Sequence, residues 1–300
     1  MIAQQLLNGI ISGAVYALFA LGFTLIFGVQ KVLNLAHGGV FMAGAFLAYY
    51  AVTAAGLPLW AALLMAMIAC GLISVLIDLI AFRPIRARGG HANAEFAAIV
   101  ASIGIDLVLL SIAQRVSDTK VLSFPFGTFP VEFFRGYGLR ISLLQIAILA
   151  LVGIMLAGLV YYLQKTSFGR QVRAVAINER AASLLGVNAA QVYFQTFFIA
   201  GAMAGIAGVL IGLSFNSIHF LMGEPYILKA FVVVVLGGLG NMAGAVGASL
   251  LLGIVQTLTI AYLPTGLSDT IIFGMLFIVL LFWPNGLFGG SGMNAGAGRQ

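Results

Sequence analysis

Apolar stretches of about 20 residues, the length that crosses a bilayer core as a helix, recur from one end of this chain to the other. They fall at 5–29, 34–54, 58–82, 95–113, 141–163, 191–214, 243–263 and 269–284. Hydrophobic residues make up 62% and charged residues 7%, against about 25% charged in soluble domains. That is too little polar surface to wrap a water-facing globule. The fold class is therefore an all-α integral membrane protein, a polytopic bundle of about 8–9 transmembrane helices. The ninth crossing rests on 226–240. Its apolar core, Ala230–Leu236, is short for a span at about 1.5 Å per residue, and it runs into Gly237-Gly238-Leu239-Gly240-Asn241. It reads as a short or broken helix that still crosses, with a re-entrant turn as the rival. No soluble insert divides the spans, so 1–290 form one transmembrane domain. The Gly-rich tail 291–300 reads as disordered.

The net charge of +6 is not a nucleic-acid signal, because the basic residues sit in loops between spans. Lys31, Arg83, Arg86, Arg88, Lys165, Arg170, Arg173 and Arg180 share one side; Arg115, Lys120, Arg135 and Arg140 share the other. The positive-inside rule places the first group in the cytoplasm and the N-terminus outside. The first basic residue is Lys31, so the charged start of a secretory signal is missing and the first apolar segment is expected to stay as a span. Cys70, alone in the chain, excludes an internal disulfide. The outer loop 114–140 carries Phe124, Pro125, Phe126, Phe129, Pro130, Phe133, Phe134 and Tyr137. That density suits a segment in the outer interface, resting on the membrane or receiving an external partner.

The most informative loop is 164–190, basic and helix-prone between two spans. Asn178 suits an N-cap, Glu179–Leu185 a helix of about two turns, and Gly186 a left-handed stop. Such a segment cannot face lipid. Ala181, Ala182, Leu184 and Leu185 would form an apolar surface able to seat in a partner's groove.

Catalytic signatures are missing: no phosphate-binding loop, no HExxH, no Cys/His cluster and no Ser-x-Gly elbow. His37, His91 and His219 are far apart in sequence. Asp106 is the clearest mid-span charge, either serving a pathway or pairing inside the bundle; Asp78 lies near the cytoplasmic end of its span. His37, after Asn34, lines a channel or caps a helix end. The candidate translocation path is Asn8, Asn34, His37, Asp106, Gly237, Gly238, Gly240 and Asn241. Asn216, Ser217, His219 and Glu224 stand at the outer mouth or form a plain polar turn. The ladder Gly201, Ala204, Gly205, Gly208 and Gly212 gives one helix a smooth packing face. A loose likeness between Asn34–Ala45 and Gly240–Gly247 hints at an internal repeat, with Gly-interrupted segments near the path.

With these residues in place, the chain resembles the integral permease subunits of branched-chain amino-acid ABC importers, the LivH type, over about 5–290. The resemblance is carried by Asn8-Gly9 and Gly13-Ala14-Val15-Tyr16-Ala17-Leu18, by Val32-Leu33-Asn34-Leu35-Ala36-His37-Gly38, and by Thr166, Gly169-Arg170 and Arg173-Ala174-Val175. Ala181-Ala182-Ser183-Leu184-Leu185-Gly186-Val187-Asn188 and Val234-Val235-Leu236-Gly237-Gly238-Leu239-Gly240 complete it. It implies a bacterial inner-membrane, multi-pass subunit without cofactor or ATPase site of its own. Its implied partners are two ATP-binding-cassette ATPases, a second homologous permease, a periplasmic solute-binding protein and membrane lipid. Importer permeases dock on the ATPase through a loop of the form E-A-A-x-x-x-G. Here Ala181, Ala182 and Gly186 fit, while Arg180 replaces the Glu and Glu179 stands beside it. The implied coupling residues are Arg170, Arg173, Asn178, Glu179, Arg180, Ala181, Ala182, Leu185 and Gly186. Leucine, isoleucine and valine are the expected cargo; urea or another small amino or organic acid stays open. A stand-alone secondary carrier or channel is the competing class.

Overall fold

The computed structural model describes residues 2–87, 91–130, 132–136, 139–264, 266–284 and 286–288. Arg88, Tyr137, the side chain of His91 and the tail 291–300 lie outside the described residues. In chain order the elements are α1 (Ile2–Gln30), α2 (Ala36–Thr53), α3 (Leu59–Ile77), a π turn (Asp78–Phe82), α4 (Arg83–Ala87) and α5 (His91–Ser117). A hairpin of β1 (Phe133–Gly136) and β2 (Leu139–Ser142) leads into α6 (Leu143–Lys165), α7 (Ser167–Ile177), α8 (Glu179–Leu184) and α9 (Ala189–Phe215). The chain closes with α10 (Glu224–Gly237), α11 (Met242–Tyr262) and α12 (Leu267–Phe282).

Among the described residues, six helical stretches are long and apolar enough to cross a membrane. They are α1, the continuous run Leu59–Ala87, Glu95–Ser117 of α5, α6, α9 and α11; Leu267–Phe282 is apolar but shorter. The chain is a multi-pass helical membrane protein. Within the expected span 34–54 the helix is α2, Ala36–Thr53. After Lys31, in the left-handed region at φ 59°, residues 31–35 run without helix and α2 starts only at Ala36. That start is deep in the bundle. The Leu35 amide donates to Ser102 Oγ at 3.2 Å, about three turns into α5. The His37 ring nitrogen Nε2 lies 3.3 Å from the Phe19 carbonyl, about three turns before the end of α1.

Small residues set the core. Gly201 and Gly205 of α9 face Cys70 and Ser74 of α3, and Gly208 meets the Phe41 carbonyl of α2. Gly9 and Gly13 of α1 lie against Ile254 and Leu250 of α11; a Cβ on either would come within 2.7 or 2.8 Å of backbone. Without a hydrophobic drive between helices in lipid, this close approach supplies the packing. The ladder on α9 is thus a structural face. In the run Leu59–Ala87, the π turn directly precedes Pro84, which has no N–H to give and whose ring crowds the carbonyl four residues back. The Arg83 amide donates instead to Asp78, five residues back, and the wider turn makes room.

At one end of the bundle, the hairpin pairs Phe133 with Ser142 and Arg135 with Arg140. Gln4 of α1 bonds both backbone groups of Arg140 at 2.9 Å, and Ser142 opens α6 with a reciprocal capping box to Gln145. Phe126, Phe133 and Phe134 are exposed, while Phe124 is buried against Tyr49. The other end carries α7 and α8.

Candidate functional site

Two helices begin at the same depth and touch. The first turn of α2 meets the first residues of α10: a Cβ on Gly38 would stand 3.2 Å from the Gly223 carbonyl oxygen, and one on Gly223 would run into Gly38. Neither start has a side-chain cap; the amides of His37, Gly38, Glu224 and Tyr226 donate to nearby backbone carbonyls, and each start carries the positive end of a helix dipole. Carboxylates answer them. Asp106 of α5 lies over α2, its Oδ1 2.7 Å from where a Gly39 Cβ would be, and Glu224 opens α10 beside Pro225. Asp106, Glu224, Gly38, Gly39 and Gly223 line one small crevice. About one and a half turns down α10 from Glu224, Lys229 lies over two rings, its Nζ 5.6 Å from the Tyr16 centroid and 5.3 Å from that of Tyr226. Tyr16 donates to Gln256 Oε1 at 2.8 Å.

The expected path residues do not all gather there. Asp106 does, and so does Glu224, which was expected at an outer mouth. His37 is 0% exposed, stacked on Phe19 at 4.8 Å between ring centroids, and Asn34 is buried beside it in sequence; both belong to the packed interior. Asn8 accepts from Gln4 and Gln145 at 3.3 Å in a separate cavity of about 220 Å³ at the hairpin end. Gly237, Gly238, Gly240 and Asn241 make the tight turn between α10 and α11, some 20 Å from the α2–α10 contact by the rise of α10. Gly238 has φ 89° and Gly240 φ 83°, and Asn241 caps α11 through Gly244. In space, Asn34–Ala45 meets the start of α10 through Gly38 and Gly223. Asn216 is a left-handed helix end whose side chain accepts from the Phe124 amide at 2.9 Å. With the Leu122–Ile218 bridge, it ties the loop after α5 to α9. His219 lies in the following turn, its carbonyl accepting from Met222 at 3.0 Å.

At the opposite end, loop 164–190 folds into two helices. In α7, Phe168, Val172 and Val175 turn inward, a helix-spaced apolar face that the residue pattern did not flag. Arg173 donates to the Leu163 carbonyl at 2.7 Å, so its guanidinium serves the end of α6; both Arg173 and Arg170 are exposed. In α8, Asn178 accepts from the Ala181 amide at 2.9 Å, and Gly186 follows at φ 88°. Ala182 is 3% exposed and leaves the expected apolar surface, because it is the residue that seats α8 on the bundle. Leu184 and Leu185 are 84% and 86% exposed, with Ile177 equally bare. Arg180 and Ala181 point to solvent, and Glu179 is engaged by Tyr193 at 2.7 Å.

Tyr226, Lys229 and Gln256 were not picked out from the sequence. Lys229 had a signal: it is the single charge within the apolar run 226–236, and intramembrane charge is functional by default.

A polytopic bundle with two half-depth helix starts, flanked by charged and phenolic groups, is the architecture of a membrane permease. Residues 5–280 match the family described as branched-chain amino acid transport system / permease component, and the chain belongs to that family. It is 32% identical over 298 residues to the high-affinity branched-chain amino acid transport system permease protein BraD of Pseudomonas aeruginosa, covering 95% of both chains. It is 32% identical over 305 residues to LivH of Escherichia coli K12, again covering 95% of both. Over 302 residues it is 27% identical to a probable LivH of Methanocaldococcus jannaschii, covering 95% of this chain and 92% of that one.

Proposed function

We propose that this chain carries aliphatic amino acids across the bacterial inner membrane as one permease of an ATP-driven importer. Its partners would be a second homologous permease, two ATP-binding-cassette ATPases and a periplasmic binding protein that hands over cargo. The observation that carries this reading is α8: a short, doubly capped helix with Leu184 and Leu185 bare at one end of the bundle. Exposed paired leucines outside the lipid-facing spans are costly unless a partner covers them. ATP-driven closure of the ATPases would move α8 and tilt the spans, biasing the path through differential contacts with the two states.

The cargo reading is supported by the groups around the α2–α10 start. A zwitterion needs an anion for its ammonium and a cation or helix amides for its carboxylate. Asp106 and Glu224 offer the first; Lys229 and the positive ends of the two helix dipoles offer the second. The named relatives are branched-chain amino-acid permeases, and the apolar surroundings suit an aliphatic side chain. Proteoliposomes holding the chain with its co-expressed partners should take up labelled leucine only with ATP and binding protein. Replacing Leu184 and Leu185 by Asp should remove the ATPases from the purified complex. ATP-independent uptake by the chain alone would overturn the reading in favour of a carrier.

A further inference from the structure

Where α8 meets the bundle, an unbroken set of polar contacts runs to the ends of two spans. Glu179, the first residue of α8, accepts from the Tyr193 hydroxyl of α9 at 2.7 Å. The Arg86 guanidinium lies 3.9 Å from the centre of the Tyr193 ring. Arg86 then pairs with Asp78 at 2.8 Å, and Asp78 accepts from Gln30 at 3.3 Å. Asp78 opens the π turn of the run Leu59–Ala87, and Gln30 is the last residue of α1. Glu179, Tyr193, Arg86 and Asp78 line a cavity of about 300 Å³ together with Arg83.

From these contacts we infer that Tyr193, Arg86 and Asp78 are positioning residues that pass a displacement of α8 to the inner ends of α1 and α3. The inference rests on reading α8 as the ATPase-docking helix. α8 packs on α7 and touches α9, while Leu184 and Leu185 are bare. Its side-chain attachments among the described residues include the buried Ala182 and the Glu179–Tyr193 bond. Ala182 is a non-directional apolar contact; the Tyr193 bond is directional and continues through charge. Asp78 is buried and cannot trade its partners for water without loss, so Arg86 and Gln30 follow it. The receiving element is the one stretch of the run Leu59–Ala87 whose hydrogen bonds depart from α spacing, the type of segment that recurs at functional sites. Tyr193 also stands on α9, the helix against which α2 and α3 pack.

The test uses the complete importer in proteoliposomes and reads leucine transported per ATP hydrolysed, a ratio that a loss of folded protein leaves unchanged. Tyr193→Phe removes only the hydroxyl and keeps the ring beneath Arg86. It should retain both ATPases and most ATP hydrolysis while the ratio falls at least fivefold. Glu179→Ala should match it, the double variant should be no worse than either single one, and Glu179→Gln, which keeps an acceptor oxygen, should retain at least half the wild-type ratio. A wild-type ratio in Tyr193→Phe and Glu179→Ala would overturn the inference. So would loss of the ATPases from Tyr193→Phe, which would make Tyr193 part of the docking face. Retention of ATPases by the Leu184→Asp, Leu185→Asp variant would instead sink the docking reading, and the inference with it.

Discussion

Gly38 and Gly223 touch backbone to backbone at the point where α2 and α10 begin. No side chain fits between them, so the contact holds the two helix starts at one depth and keeps the flanking charges together. Gly223→Val should force the helices apart, at a cost of about 1–3 kcal/mol for overpacking, and uptake should fall at least tenfold. Gly104→Val is the control, because nothing lies within 4 Å of a Cβ there. Thermal unfolding in detergent and leucine uptake together check both. Equal loss in the two variants would mean that the Gly38–Gly223 contact has no special role.

Gly186 ends α8 at φ 88° in open space, so the constraint there is conformational rather than steric. A β-branched residue in that region costs roughly 1–2 kcal/mol, enough to unwind the last turn of a six-residue helix. Gly186→Val should insert normally in the membrane yet fail to transport, whereas Gly186→Asn should keep most activity, since Asn tolerates the left-handed conformation. Normal uptake by the Val variant would contradict a docking role for α8.

What could be read from the sequence was local. The spans follow from runs of apolar residues, and the ends of α8 follow from Asn178 and Gly186, whose effects reach only a turn or so along the chain. The face of α8 was legible in part: Leu184 and Leu185 are bare, but which alanine turns inward depends on where α9 lies. The meeting of α2 and α10 was not legible, because Gly38 and Gly223 are brought together only by tertiary packing. His37 shows the same limit. A histidine near a helix start reads equally as a pore group or a cap, and only the Phe19 ring stacked on it places it in the interior.

Lys229 is a half-buried cation over two phenol rings, an arrangement worth about 0.5–2 kcal/mol from ring attraction alone. If its charge receives the cargo carboxylate, Lys229→Met should leave the unfolding temperature within a few degrees and lower uptake at limiting leucine at least tenfold, or about 1.4 kcal/mol of transition-state stabilisation. Lys229→Arg should keep part of the activity. Unchanged uptake with Met would make the lysine a packing group.

Accessibility separates the two groups of expected path residues. The native Cys70 is fully buried between α3 and α9, so the unaltered chain should not react with a membrane-impermeant maleimide and provides its own blank. Glu224 is exposed in the described chain and lines the crevice with Asp106; His37 is enclosed by Phe19, Phe23 and Gly22. Glu224→Cys in the assembled importer should therefore be labelled, faster in the state open to the binding protein and more slowly when ATP closes the ATPases. His37→Cys should stay unlabelled in both states. Labelling at 37 that follows the ATP cycle would move the water-filled route to the α1–α2 contact and away from the start of α10. Protection of 224 in every state would place Glu224 against the second permease instead of on the route.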